Sequence, residues 1–224
     1  MAPQCQCDAS CKEPPMKGKP FCKRHLDSCP NVAPLSGAEH RFKPAKYNSK
    51  FEIQDSHNCF AYAFNVQDPL TPKECNKKSC DIPFHQPGRK SGFPKWKKVK
   101  GKRCPDLIAR LHGDVRNLQM TNFTRRCPKG MYKVAAVIDP KSDYHFYRQD
   151  ADGLWSHKPG GTKVTRRDAS NRLIYNPELC DRDYSKDGGM NYTRLCGFMC
   201  IPRQTKRLKR GGGKTRKRTS VPRS

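Results

Sequence analysis

Three residues of this 224-residue chain have the types and settings that nucleophilic chemistry requires: Cys59, His145 and His157. Cys59 lies in the stretch His57-Asn58-Cys59-Phe60-Ala61-Tyr62-Ala63-Phe64, which reads as the start of a helix ended by Pro69. Asp55 or Ser56 is the expected cap, accepting from the first free amides. At a first turn those amides and the helix dipole favour a thiolate. A thiolate needs a base to manage its proton and a third group to orient that base. His145, within Asp143-Tyr144-His145-Phe146-Tyr147-Arg148, falls mid-strand, and His157 falls on the strand after it. The assignment is Cys59 as nucleophile, His145 as base and His157 as orienting residue.

The connection between the two strands decides whether the histidines meet. A three-residue loop, Ala151-Asp152-Gly153 with Gly153 left-handed, pairs Asp150 with Leu154 and Tyr147 with His157. His145 and His157 then share a sheet face as diagonal neighbours. A two-residue loop, Asp152-Gly153, opposes Arg148 to His157 and sends the histidines to opposite faces.

A second constellation lies near the N-terminus. Cys7-x3-Cys11-x10-Cys22-x2-His25 has ligand spacing suited to a small structural zinc site. Coordination would organise a stretch too short to fold on hydrophobic burial alone. Cys5 and Cys29 are spare, and Cys5 can replace Cys7. Cys75-x4-Cys80 and Cys196-x3-Cys200 are weaker metal patterns, better read as structural cysteines or disulfides formed on assembly.

The elements that must position these residues read as an α+β layout, helix first and antiparallel sheet after. A second short helix is expected at 105–111, with Pro105 in its first turn. Strands are expected at 131–138, 144–149, 154–157, 173–175 and 195–201. The chain divides into a Cys/His module (1–30), a linker (31–45), a folded body (46–202) and a basic tail (203–224).

Lys and Arg number 46 against 20 acids, a formal charge of +26, and only 34% of residues are hydrophobic. Mean hydropathy is −0.97. Such an excess calls for an anionic partner: nucleic acid, another polyanion or an acidic protein surface. Two segments concentrate it. Residues 86–103 carry eight Lys/Arg and no acid, including Lys97, Lys98, Lys100, Lys102 and Arg103. The tail carries ten, including Lys206, Arg207, Lys209, Arg210, Lys214, Arg216, Lys217 and Arg218. Without a base-reading motif, binding should be non-specific and salt-sensitive. No apolar run is long enough to cross a membrane, and the first ten residues lack the apolar core of a secretory signal. Thirteen cysteines in that context point to a reducing compartment.

Asn58-Cys59 opening a helix, the Pro128-Lys129-Gly130 turn before a strand, and His145-x11-His157 across a hairpin resemble the NlpC/P60 group of papain-like cysteine hydrolases. The resemblance covers residues 46–202 and implies a papain-like fold with a Cys-His-His triad cleaving amide bonds in a peptide or peptidoglycan-like polymer. Tyr47 resembles an upstream tyrosine of that group. Where the group commonly carries Asp-Cys-Ser-Gly, this chain reads Asn58-Cys59-Phe60-Ala61. The N-terminal module and the Gly211-to-Arg218 tail resemble segments of proteins from large DNA viruses. Together these resemblances imply a virion-associated protein in a particle or a host intracellular compartment. It would be either a hydrolase or a minor capsid component joining an acidic capsid surface or the genome.

Overall fold

In the computed structural model, which describes residues 4–29, 32–68, 75 and 79–204, the architecture is α+β around one antiparallel sheet. Four helices lead the body: α1 (Ala45–Asn48), α2 (Phe51–Ser56), α3 (Cys59–Ala63) and α4 (Cys104–Asp114). The strands are β1 (Gln119–Thr121), β2 (Met131–Ile138), β3 (Tyr144–Gln149), β4 (Trp155–Ser156) and β5 (Arg194–Pro202), in the spatial order β1-β5-β2-β3-β4.

The unbroken run of β2, Met-Tyr-Lys-Val-Ala-Ala-Val-Ile, is buried at all eight positions because the sheet is covered on both faces. Tyr132, Val134, Ala136 and Ile138 face Phe60 of α3, Phe64 just after it, and Leu107 and Leu111 of α4. Ala135 and Val137 face a second layer built from Phe123, Trp155, Ile174 and Phe198. The same pleat sends Tyr144 and Phe146 of β3 to the helical side and Tyr147 to the other.

The cap of α3 is Asn58 rather than Asp55 or Ser56: its side-chain oxygen accepts from the Ala61 amide at 3.2 Å. Asp55 and Ser56 are instead the last residues of α2, a separate helix. The helix also stops well before Pro69, because Asn65 turns into the left-handed region at φ 53°. The strand expected at 173–175 is reduced to bridges, Trp155 to Ile174 and Arg167 to Leu173. β1 was not foreseen.

Residues 33–40, read as part of a linker, lie against the sheet. Gln149 donates to the Ala33 carbonyl at 2.8 Å, and His40 bridges to Asp150. The N-terminal module is docked by Gln6, whose side-chain oxygen accepts from the Tyr175 and Asn176 amides at 2.7 and 3.0 Å.

Disulfides join Cys7–Cys29, Cys75–Cys80, Cys104–Cys196 and Cys127–Cys200. Cys104–Cys196 ties α4 to β5, and Cys127–Cys200 ties the approach to β2 onto β5. They agree with one reading and correct another. Cys75, Cys80, Cys196 and Cys200 are covalently paired and form no second metal site. Four disulfides also argue for an oxidising rather than a reducing setting.

Candidate functional site

Cys59 occupies the first position of α3, as a nucleophile would, but it is closed off. Its residue is 5% exposed, and its sulfur lies 4.0 Å from the Tyr144 carbonyl. Burial, then the nearby Asp143, push the thiol far above its ordinary value, so it is protonated at neutral pH.

The two histidines do meet. The hairpin has the three-residue loop: the Asp150 amide donates to the Leu154 carbonyl at 2.8 Å, and Gly153 sits at φ 88°. His145 Nε2 and His157 Nδ1 are 2.8 Å apart, and His157 Nε2 is 2.8 Å from the Arg167 carbonyl. An N–H on His157 Nε2, donated to that carbonyl, leaves Nδ1 to accept from His145 Nε2. Burial, then the neighbouring His157, hold His145 well below its usual range, and burial brings His157 down to about 4. Both rings are therefore neutral at neutral pH. Tyr192 lies over His145 with centroids 5.2 Å apart, and Tyr184 approaches His157 at 6.3 Å. Among the described residues, no hydrogen bond joins Cys59 to either histidine. The pleat explains it: Cys59 belongs to the helical-side core with Tyr144 and Phe146, whereas His145 alternates to the opposite face.

The N-terminal cluster is assembled differently from the first-choice spacing. Cys7 is bonded to Cys29, and Cys5 takes its place. Cys5, Cys11, Cys22 and His25 bring one donor atom each to within 4.8 Å of one another, a set that can hold a metal ion. The Cys5 sulfur and His25 Nδ1 are 3.4 Å apart, and the Cys11 and Cys22 sulfurs 3.7 Å. Burial raises the Cys5 thiol, but the Cys22 and Cys7 amides and His25 outweigh it and bring it down to about 7.

The basic loop is anchored on the body. Trp96 is buried in the helical-side core, and Arg110 donates to the Pro94 carbonyl at 2.7 Å. Asp114 accepts from the Gly88 and Ser91 amides at 2.7 and 2.8 Å. Lys97, Lys98, Lys100 and Arg103 are exposed, Lys102 is half-buried, and Arg103 meets Asp106 at 3.2 Å. Lys206, Arg207, Lys209, Arg210, Lys214, Arg216, Lys217 and Arg218 lie outside the described residues. Among the described residues, no helix is long and apolar enough to cross a membrane.

No protein-family model matches the chain, and no solved structure matches it. Insoluble matrix shell protein 1 of the bivalve Ruditapes philippinarum is 34% identical over 142 residues, which is 63% of this chain and 81% of that protein. This overturns the expectation of a virion-associated hydrolase or minor capsid protein, and with it the viral-particle or host-intracellular location: the similarity is to a mollusc shell matrix protein. By sustained identity across most of that relative's length, the chain belongs to the family of insoluble matrix shell protein 1.

Proposed function

We propose that this protein is a structural component of an insoluble, shell-type matrix, folded under oxidising conditions and holding anionic matrix material through its positive charge. The observation that carries the reading is the 34% identity to insoluble matrix shell protein 1. The net charge of +26 supports the choice of an anionic partner. The four disulfides suit a protein that must outlast exposure to an oxidising exterior.

Within this role we read the body as a papain-like chain path of NlpC/P60 type whose Cys-His-His constellation serves packing. What supports it is the position of Cys59 at the start of α3 and the paired histidines on the following hairpin. A protonated, buried thiol suits a packing role.

The test of the matrix role is retention of the oxidised full-length chain on immobilised polyanions: a sulfated polysaccharide, poly-glutamate and duplex DNA, with chitin as the neutral comparison. The expected result is strong retention on the anionic supports, lost as salt approaches 1 M, where screening shortens to about 3 Å. Retention on chitin alone, or binding unmoved by salt, would overturn a charge-based role. Stronger retention on DNA than on the other polyanions would favour a nucleic-acid partner instead.

We further propose that Cys5, Cys11, Cys22 and His25 hold one structural zinc ion. The donors are the soft sulfur and imidazole groups that tetrahedral zinc takes. A bound metal also accounts for three thiols staying unpaired in a chain where eight cysteines are oxidised. Metal analysis of the refolded, oxidised protein should find one zinc per chain. Cys11→Ser should lose most of it, and the Cys7→Ser/Cys29→Ser pair should keep it. Equal loss in both would restore Cys7 to the ligand set and refute the arrangement.

A further inference from the structure

At the opposite end of α3 from Cys59 lies a cavity of about 620 Å³ whose wall concentrates positive charge. Arg41, Lys43, Lys46, Arg148 and Arg203 line it together with His40. The single carboxylate in the lining, Glu39, is turned to other work. One of its oxygens accepts from the Ser36 amide at 2.8 Å, and the other from the Gly37 amide at 2.9 Å.

Some of these cations have structural partners. Arg148 donates to the Tyr62 hydroxyl at 2.8 Å and to Asp150 at 3.1 Å, and Arg203 donates to the Ala38 and Glu39 carbonyls at 2.9 and 3.1 Å. Lys46 donates to the Asn65 side chain at 2.9 Å. The Arg41 and Lys43 side chains have no ion pair or hydrogen bond among the described residues, and both residues are exposed at the rim. Stabilisation of the α3 C-terminus cannot account for them, because a five-residue helix carries little dipole and neither touches its carbonyls.

Two buried atoms of the lining residues, His40 Nε2 and Arg148 Nε, have no hydrogen-bond partner among the described residues. Burial first, and then the neighbouring charges of Arg148, Arg203 and Lys46, bring His40 down to about 4. Collecting like charges in a concave, partly desolvated space costs free energy that an incoming anion returns. Arginine forks are shaped for oxyanions, and the volume falls in the range of small-molecule sites, about 300–1,000 Å³. The Tyr47 and Tyr62 rings, 5.1 Å apart, add an aromatic wall.

We propose that this cavity is a binding site for a tetrahedral oxyanion carried on a small group, a phosphate or sulfate ester, seated between Arg41 and Lys43 at the rim and Arg148 and His40 within. The site gives the charge-based role a discrete seat but does not depend on it. Failure of small-anion binding leaves retention on polyanions intact, and the converse also holds.

The test is calorimetric titration of the oxidised full-length protein with inorganic phosphate, sulfate and acetate at constant ionic strength. One saturable site for phosphate or sulfate is expected, and the tighter of the two identifies the ester. Arg41→Ala/Lys43→Ala should weaken it at least tenfold without moving the unfolding midpoint. Lys141→Ala/Lys186→Ala removes the same charge from residues that do not line the cavity and should change affinity less than twofold. Absence of saturation, equal weakening by both pairs, or acetate binding as tightly as phosphate and sulfate would each overturn the assignment.

Discussion

Replacing Asp150 by Ala should cost the protein about 3–5 kcal/mol of stability, the range for removing one partner of a buried ion pair. Asp150 is fully buried and holds two guanidinium groups. Arg148 reaches one of its oxygens at 3.1 Å, and Arg166 reaches the other at 3.1 and 3.2 Å. Arg148 is itself only 3% exposed and lies over the Tyr62 ring at 4.2 Å. Without the carboxylate its charge loses its ion-pair partner and keeps only the Tyr62 oxygens as acceptors among the described residues. The backbone bonds of the hairpin do not use the Asp150 side chain, so the loss belongs to charge burial and not to the turn. Asp150→Asn, which keeps the shape and some hydrogen bonding, should lose less. Urea midpoints of the three proteins decide the matter, and a loss below about 1 kcal/mol for the alanine variant would show that Arg148 reaches water or another acceptor.

Removing the Cys104–Cys196 disulfide should be comparably severe. It closes a span of 92 residues, from the start of α4 to β5, and in the chain-entropy model a loop of that length is worth about 4–5 kcal/mol. Cys127–Cys200 spans 73 residues of nearly the same stretch, so the two contributions overlap and will not add in full. The Cys104→Ala/Cys196→Ala variant is expected to unfold at least 3 kcal/mol more easily in urea, and full reduction of wild type to cost more still. If the variant matches oxidised wild type, the packing of Leu107 and Leu111 on the sheet holds α4 unaided.

The parts of this architecture legible in the sequence are those fixed by local chemistry. β2 and β3 announce themselves by runs of β-branched and aromatic residues. The meeting of His145 and His157 follows from counting across a three-residue loop with Gly153 in the left-handed position. Local rules fail where two readings share the same residues. Asp55 and Ser56 are good caps, yet they close α2, and Asn58 starts α3. Cys5 and Cys7 flank Gln6, six and four residues before Cys11, and only the pairing of Cys7 with Cys29 leaves Cys5 to join Cys22 and His25. β1 is three residues, Gln-Met-Thr, too short to show alternation. The run Arg41-x-Lys43-x-x-Lys46 reads as an ordinary solvated stretch, because Arg148 and Arg203, which give it meaning, lie more than a hundred residues away.

The seat of Gln6 on Tyr175 and Asn176 has a consequence for the order of events at the ribosome. At roughly 5–20 residues per second, the wait between the emergence of the arm and of its dock is on the order of ten seconds. During that interval five cysteines are exposed with nothing to lean on. The bonds that sort them are all local: Cys7 reaches Cys29, and Cys5, Cys11, Cys22 and His25 gather within a span of 21 residues. The arm can therefore settle its own sulfur chemistry before the rest of the chain exists, and dock as a finished piece rather than a source of mispaired thiols.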